Sequence, residues 1–184
     1  LFKFLNIIFI LMSVDQNKSE YSKIAKLFHW GFVILFVYGV AKQVDDITQL
    51  ENTDFFSFEI IFALFFLFLL IIRFIYMKTT QKTSLPKDTS KAQILVAKFV
   101  HNVMYLLLLG TVLSGLLIGF LYWKEIKEGF LIDFIVNIHE LVINILYWFI
   151  GIHIIASIYH RLKKDGVWSS MVPFLKEKKI IKKN

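Results

Sequence analysis

Five histidines, one glutamate and one arginine interrupt stretches of this chain that otherwise carry almost no charge: His29, Glu59, Arg73, His101, His139, His153 and His160. Imidazole ligates metals through a neutral ring nitrogen or relays protons, and a guanidinium recognises anions through paired N–H donors. His139 and His153 are fourteen residues apart, close to four helical turns, so on a helix both project from nearly the same face. At a rise of about 1.5 Å per residue they lie roughly 21 Å apart along the axis. That separation suits two sites in the two leaflets of a membrane.

The elements that carry these residues are membrane helices by composition. The 184 residues are 57% hydrophobic and 17% aromatic, with a mean hydropathy of +0.65, well outside the range of soluble domains. No Asp, Glu, Lys or Arg occurs between Lys26 and Lys42, between Lys98 and Lys124, or between Glu140 and Arg161. A further run, Phe55 to Met77, is broken only by Glu59 and Arg73. Each run approaches the roughly 17 to 25 residues that cross a hydrocarbon core, the first with help from snorkelling lysines at its ends. The expectation is an all-α, up-and-down bundle of four transmembrane helices over about 24–43, 56–77, 94–122 and 133–160. The membrane domain spans 21–172, between an N-terminal extension, 1–20, and a basic tail, 173–184.

The formal net charge of +7 does not point to nucleic acid, because the cations are sorted by loop. Lys18, Lys23 and Lys26 precede the first helix, Lys78, Lys82, Lys87 and Lys91 flank the second connection, and Arg161, Lys163 and Lys164 follow the fourth. The other two connections hold Lys42, Lys124 and Lys127 beside Asp45, Asp46, Glu51, Asp54, Glu125 and Glu128. The positive-inside bias then places both termini in the cytoplasm, with the basic tail facing anionic lipid headgroups. Trp123, Trp148 and Trp168 stand at or near segment ends, as interfacial anchors do, although Trp148 could also face the bundle interior. The opening "LFKFLNIIFILM" is too short to span and lacks a small-residue cleavage site, so Met12 is read as the true initiator.

Ionisable groups at membrane depth are functional candidates because they are costly to bury. Helix direction puts His29 and His153 in the cytoplasmic leaflet with Arg73 and His101, and puts Glu59 and His139 in the outer one. A single transmembrane histidine can simply hydrogen-bond a neighbouring helix. A pair at matched depth on facing helices can instead ligate a haem iron from both sides, and His29 with His153 form that pair. Gly31 follows His29 by two and Gly151 precedes His153 by two, leaving room for a flat macrocycle against the backbone. With no cysteine a covalent C-x-x-C-H haem and iron–sulfur ligation are excluded, so the haem is of b type. A six-coordinate iron passes electrons and has no vacant position for substrate. Arg73 suits a haem propionate, His101 and His160 read as interfacial, and "GLLIG", 115–119, reads as helix packing.

The stretches "YSKIAKLFHWG", "IIRFIY", "VHNVMYLLLLGTVLSG" and "IHELVINILYWFIGIHIIASIYHRLKKDG" together resemble the bacterial cytochrome b561 family, which includes the b-type cytochrome subunits of nickel–iron hydrogenases. The resemblance covers about residues 21–172 and implies a four-helix bundle with one haem b per leaflet, exchanging electrons with the quinone pool in respiratory electron transport. It implies that His29 and His153 ligate the inner haem and that His139 supplies one ligand of the outer haem.

The partner that the resemblance implies for His139 lies fourteen residues before Arg73, where this chain has Glu59. An anionic ligand there would favour ferric iron, whereas a Glu59–His139 hydrogen bond or ion pair would leave no outer haem. A single haem is therefore favoured over two. Three roles follow from the resemblance: a quinone-coupled electron carrier, a haem-bearing anchor for a dehydrogenase or hydrogenase subunit, and a superoxide-to-quinone oxidoreductase.

Overall fold

The computed structural model describes residues 21–42, 44, 46–80, 85–86 and 89–177. The extension 1–20, Met12 included, and the tail from 178 onward lie outside the described residues. Four long helices cross the bundle: α1 (Lys23–Ala41), α2 (Thr53–Thr80), α3 (Lys91–Trp123) and α4 (Phe130–Lys163). A 3-10 turn, Ile47–Glu51, precedes α2, and a short helix α5, Val167–Met171, follows α4. No strand occurs among the described residues.

Hydropathy located all four helices, but three of them outrun their apolar spans, by three residues at the start and one to three at the end. Polar caps explain the early starts of α2 and α3. Asn52 Oδ1 accepts from Asp54 N and Phe55 N at the start of α2, and Ser90 with Gln93 forms a capping box on α3, satisfying N–H groups that the first turn leaves open. Ser22 caps α1 through Ala25 N at 3.0 Å. The same hydroxyl lies 2.9 Å from Tyr76 Oη, tying the start of α1 to the end of α2. At 28 to 34 residues, α2 to α4 are roughly 42 to 51 Å long and exceed a 30 Å hydrocarbon core, so they tilt or project from it.

The bundle is inside-out relative to a soluble protein. Leu27, Ile34, Ile61, Leu95, Leu106 and Ile155 point outward, and Trp148, 77% exposed, belongs to this lipid-facing set and not to the interior. The central core is small, made of Phe32, Phe66, Leu70, Leu108, Val112 and Leu146. A second cluster of Leu50, Leu121, Tyr122 and Ile132 closes the end away from the termini. Neighbouring helices pack in the order α1, α2, α3, α4, with α3 against α4 the most extensive contact, while α4 scarcely touches α1. The bundle is thus open along the α1–α4 seam.

The chain does not leave the bundle at the end of α4. Lys164 takes a left-handed conformation, φ 55°, and Gly166 another, φ 88°, turning α5 back under the bundle. Trp30 Nε1 donates to Met171 O at 3.2 Å, the Trp30 and Phe174 rings are 5.1 Å apart, and Glu177 N donates to Ser169 Oγ. Residues 173–177, expected as the start of a basic tail, therefore form a strap against α1.

Candidate cofactor-binding site

Each of the four long helices contributes one chemistry-bearing residue to the terminal end of the bundle: His29 from α1, Arg73 from α2, His101 from α3 and His153 from α4. The His29 and His153 rings face each other across the open seam with centroids 6.4 Å apart and an interplanar angle of 67°. Two imidazoles bound from opposite sides of one metal, with bonds of about 2.0–2.1 Å and ring centroids about 1.1 Å behind the ligating nitrogens, have centroids roughly 6.3 Å apart. The spacing fits an iron between them. His101 lies nearer still, its ring 5.0 Å from that of His153 at 79°, too close for the same trans arrangement. Among the described residues no three His, Cys, Asp or Glu converge on a common metal position.

The two glycines beside the pair stand apart from the other helical glycines. A Cβ built on Gly31 or Gly151 would meet nothing within 4 Å, so the polypeptide itself has no need of glycine at either position. The other helical glycines differ: a Cβ on Gly39 would press on Phe62, one on Gly110 on Val142, one on Gly119 on Ile60. Both glycines thus border open space, although a residue two positions from a histidine on a helix does not share its face.

Hydrogen bonds set the ring tautomers. Arg73 Nη2 donates to His29 Nδ1 at 2.7 Å. His101 is opposite in sense, its Nδ1 donating to Ala97 O at 2.7 Å, which leaves Nε2 with the lone pair. Arg73 stacks over Phe32 at 5.0 Å and Tyr105 at 5.5 Å, while its buried Nε has no hydrogen-bond partner. No carboxylate among the described residues pairs with it. A guanidinium with donors to spare beside the histidine pair is suited to an anionic group such as a propionate.

The residues expected at the opposite end are not brought together in the same way. His139 Nδ1 lies 2.8 Å from Ser114 Oγ of α3, and Gly115 abuts the ring. Glu59 makes no bond to His139, and its buried Oε1 is without a hydrogen-bond partner. The "GLLIG" glycines thus face different neighbours, Gly115 towards His139 on α4 and Gly119 towards Ile60 and Phe56 on α2. His160 stands outside both sites, its Nδ1 2.7 Å from Asp165 Oδ2 at the turn into α5. Sequence reasoning did not single out Ser114 or Asp165. Each belongs to a quoted motif stretch, "VLSG" and "KKDG", but only the fold supplies its partner.

A family profile for prokaryotic cytochrome b561 matches residues 20–174. No curated protein and no solved structure matches the chain. The matched region takes in all four long helices, both histidines of the open seam and the returning strap, and its family implies a membrane b-type cytochrome in electron transfer. On that match, which covers most of its length, the chain belongs to the prokaryotic cytochrome b561 family.

Proposed function

We propose that this cytochrome exchanges electrons with the quinone pool as part of a bacterial respiratory chain, through a haem held by His29 and His153 at the cytoplasmic end of the bundle. The facing of His29 and His153 across an open seam carries this reading. A haem held by His29 and His153 would supply a one-electron ferric–ferrous couple. The chain's own residues do the rest. His29 and His153 present imidazoles from two helices, and Arg73 offers its guanidinium to a carboxylate. Because α1 and α4 scarcely touch, a lipid-soluble carrier reaches this site sideways from the bilayer. The cation-rich end, with Lys23, Lys26, Arg161, Lys163 and Lys164, faces the cytoplasm of an inner membrane.

Superoxide as outer donor is the weaker alternative on charge. The two connections at the far end hold three lysines against six carboxylates. Thr48, donating from its backbone N–H and hydroxyl to Asp46, holds that carboxyl below its ordinary range and so ionised. Lys127 is engaged by Glu125 at 3.0 Å. A face of that sign repels an anionic substrate. Service as the membrane anchor of a dehydrogenase or hydrogenase is the second reading, since a haem held in the bundle would equally take electrons from a partner subunit.

The test is spectroscopic. The purified protein should show a low-spin b-type spectrum that is reduced by a quinol, and His29→Ala and His153→Ala should each remove the inner haem. An unchanged low-spin spectrum in either variant overturns the ligand assignment. Quinol reduction of the protein expressed alone separates the stand-alone carrier from the anchor.

A further inference from the structure

One face of α4 is polar where a single chain would meet lipid. Asn144 is exposed, and Trp148, one turn further along, is 77% exposed. No hydrogen bond to either side chain occurs among the described residues. Asn137 of the same helix shows the alternative, its Nδ2 donating to Asp133 O at 2.7 Å, a back-bond that Asn144 does not make.

Depth makes this costly. The charge-free run of α4 between Glu140 and Arg161 rises about 30 Å, the thickness of a hydrocarbon core. Asn144 lies roughly 6 Å and Trp148 roughly 12 Å inside it from the Glu140 end. Trp148 therefore stands near the bilayer middle and not in an interfacial aromatic belt. A carboxamide and an indole N–H left in hydrocarbon forfeit the hydrogen bonds they make elsewhere.

Nothing held by the α4 histidines covers these two side chains. At 3.6 residues per turn, Asn144 is about 140° around the axis from His139 and about 180° from His153, and Trp148 is about 180° from the first and about 140° from the second. The histidines look into the bundle, where His139 meets Ser114 of α3 and His153 faces His29 and His101. Leu141 and Ile155, both exposed, extend the outward stripe.

We propose that this face of α4 is the contact between two copies of the chain, joined at Asn144 and Trp148 about a twofold axis along the membrane normal. Membrane insertion sets every copy the same way up, so such an axis brings each residue of the stripe opposite its own counterpart at equal depth. A carboxamide is donor and acceptor at once and pairs with a second carboxamide, and the indole N–H adds a donor one turn away. A second copy is thus complementary to this face without any other subunit, and amide pairs of this kind join helices within membranes. Glu140, exposed one turn nearer the outer face, ends the stripe at headgroup level, where water and salt screen its charge from its counterpart. The contact is independent of the haem ligands and of the electron carrier.

The native chain has no cysteine, so one introduced thiol reports the contact. In vesicles with the protein diluted in excess lipid, oxidation should link Leu141→Cys or Ile155→Cys into dimers about tenfold faster than Ile61→Cys, a control exposed on α2. Within the faster of the two, Asn144→Leu should slow linkage about tenfold through loss of the interhelical polar contact, and Asn144→Gln, which keeps the amide, should restore most of it. Trp148→Phe, which removes the N–H and keeps an aromatic ring, should slow linkage in the same direction. Circular dichroism and the haem spectrum, expected unchanged in each variant, separate a lost contact from a lost fold. Equal rates at all three cysteine positions, no effect of Asn144→Leu in a folded variant, or linkage in native membranes to a different protein alone overturns the proposal.

Discussion

Arg73 Nη2 donates to His29 Nδ1 across 2.7 Å, and this bond dictates the form of the imidazole. A neutral ring that accepts at Nδ1 carries its proton on Nε2. The same guanidinium is suited to an anionic group of a haem, so Arg73 can act both on the ring and on a cofactor beside it.

Arg73→Gln tests the action on the cofactor. Removing the cation favours ferric iron, and a charge effect of about 1–2 kcal/mol in a partly buried site corresponds to a midpoint lowered by roughly 40–90 mV for one electron. Haem affinity should fall about tenfold with the loss of a charge-assisted contact. Redox titration and haem transfer to an apo-acceptor measure the two effects. A midpoint that rises, or does not move, rules out a role for Arg73 beside the haem.

The helices and their order were legible because a bilayer writes itself into sequence as charge expelled to segment ends. Depth was legible for the same reason, and it paired His29 with His153. Rotation about each helix axis was not. Segments apolar all round carry no stripe to show which face is lipid-exposed, so Trp148 could be read as interior when it is exposed, and His101 as interfacial when its ring lies beside His153. The Ser114–His139 bond joins residues 25 apart on different helices, and no sequence period encodes that. Glu59 and His139 were read as a potential pair on depth and on the resemblance, and side-chain direction separated them.

The bond between Ser22 and Tyr76 is a stability prediction independent of haem. Tyr76 is 7% exposed, and its hydroxyl meets Ser22 at 2.9 Å. Tyr76→Phe should cost about 0.5–1.5 kcal/mol. Ser22→Ala removes the α1 cap as well and should cost about 1–2 kcal/mol. Thermal unfolding in a fixed detergent measures both, and equal losses would show that the cap contributes nothing.

Asp165 holds the turn from α4 into α5 at two points. Oδ2 takes His160 Nδ1 at 2.7 Å, and Oδ1 accepts from Val167 N at 3.2 Å at the start of α5. Asp165→Asn weakens the first bond and keeps the shape, so α5 should loosen without disturbing the four long helices. The readout is Trp30, whose Nε1 is bonded to Met171 O. Its emission should shift to the red, and limited proteolysis at Lys163 and Lys164 should quicken severalfold. Unchanged cleavage would mean that the Trp30–Phe174 contact alone secures the strap.

The glycines divide by what they accommodate, and substitution should divide them the same way. Gly119 is filled against by Ile60 and Phe56, so Gly119→Val forces α2 and α3 apart and should destabilise the bundle by about 1–3 kcal/mol, as overpacking does. Gly31 and Gly151 have nothing within 4 Å of a built Cβ. Gly31→Ala and Gly151→Ala should leave the apo-protein unharmed or more stable by up to about 1 kcal/mol, because glycine within a helix is the less favourable residue. Gly31→Leu and Gly151→Leu test whether a cofactor occupies the open space beside these two positions. Each should keep its helix content and lose the haem of the His29–His153 pair, while any haem on His139 persists. Undiminished binding in both leucine variants would place the macrocycle elsewhere and make these glycines incidental to it.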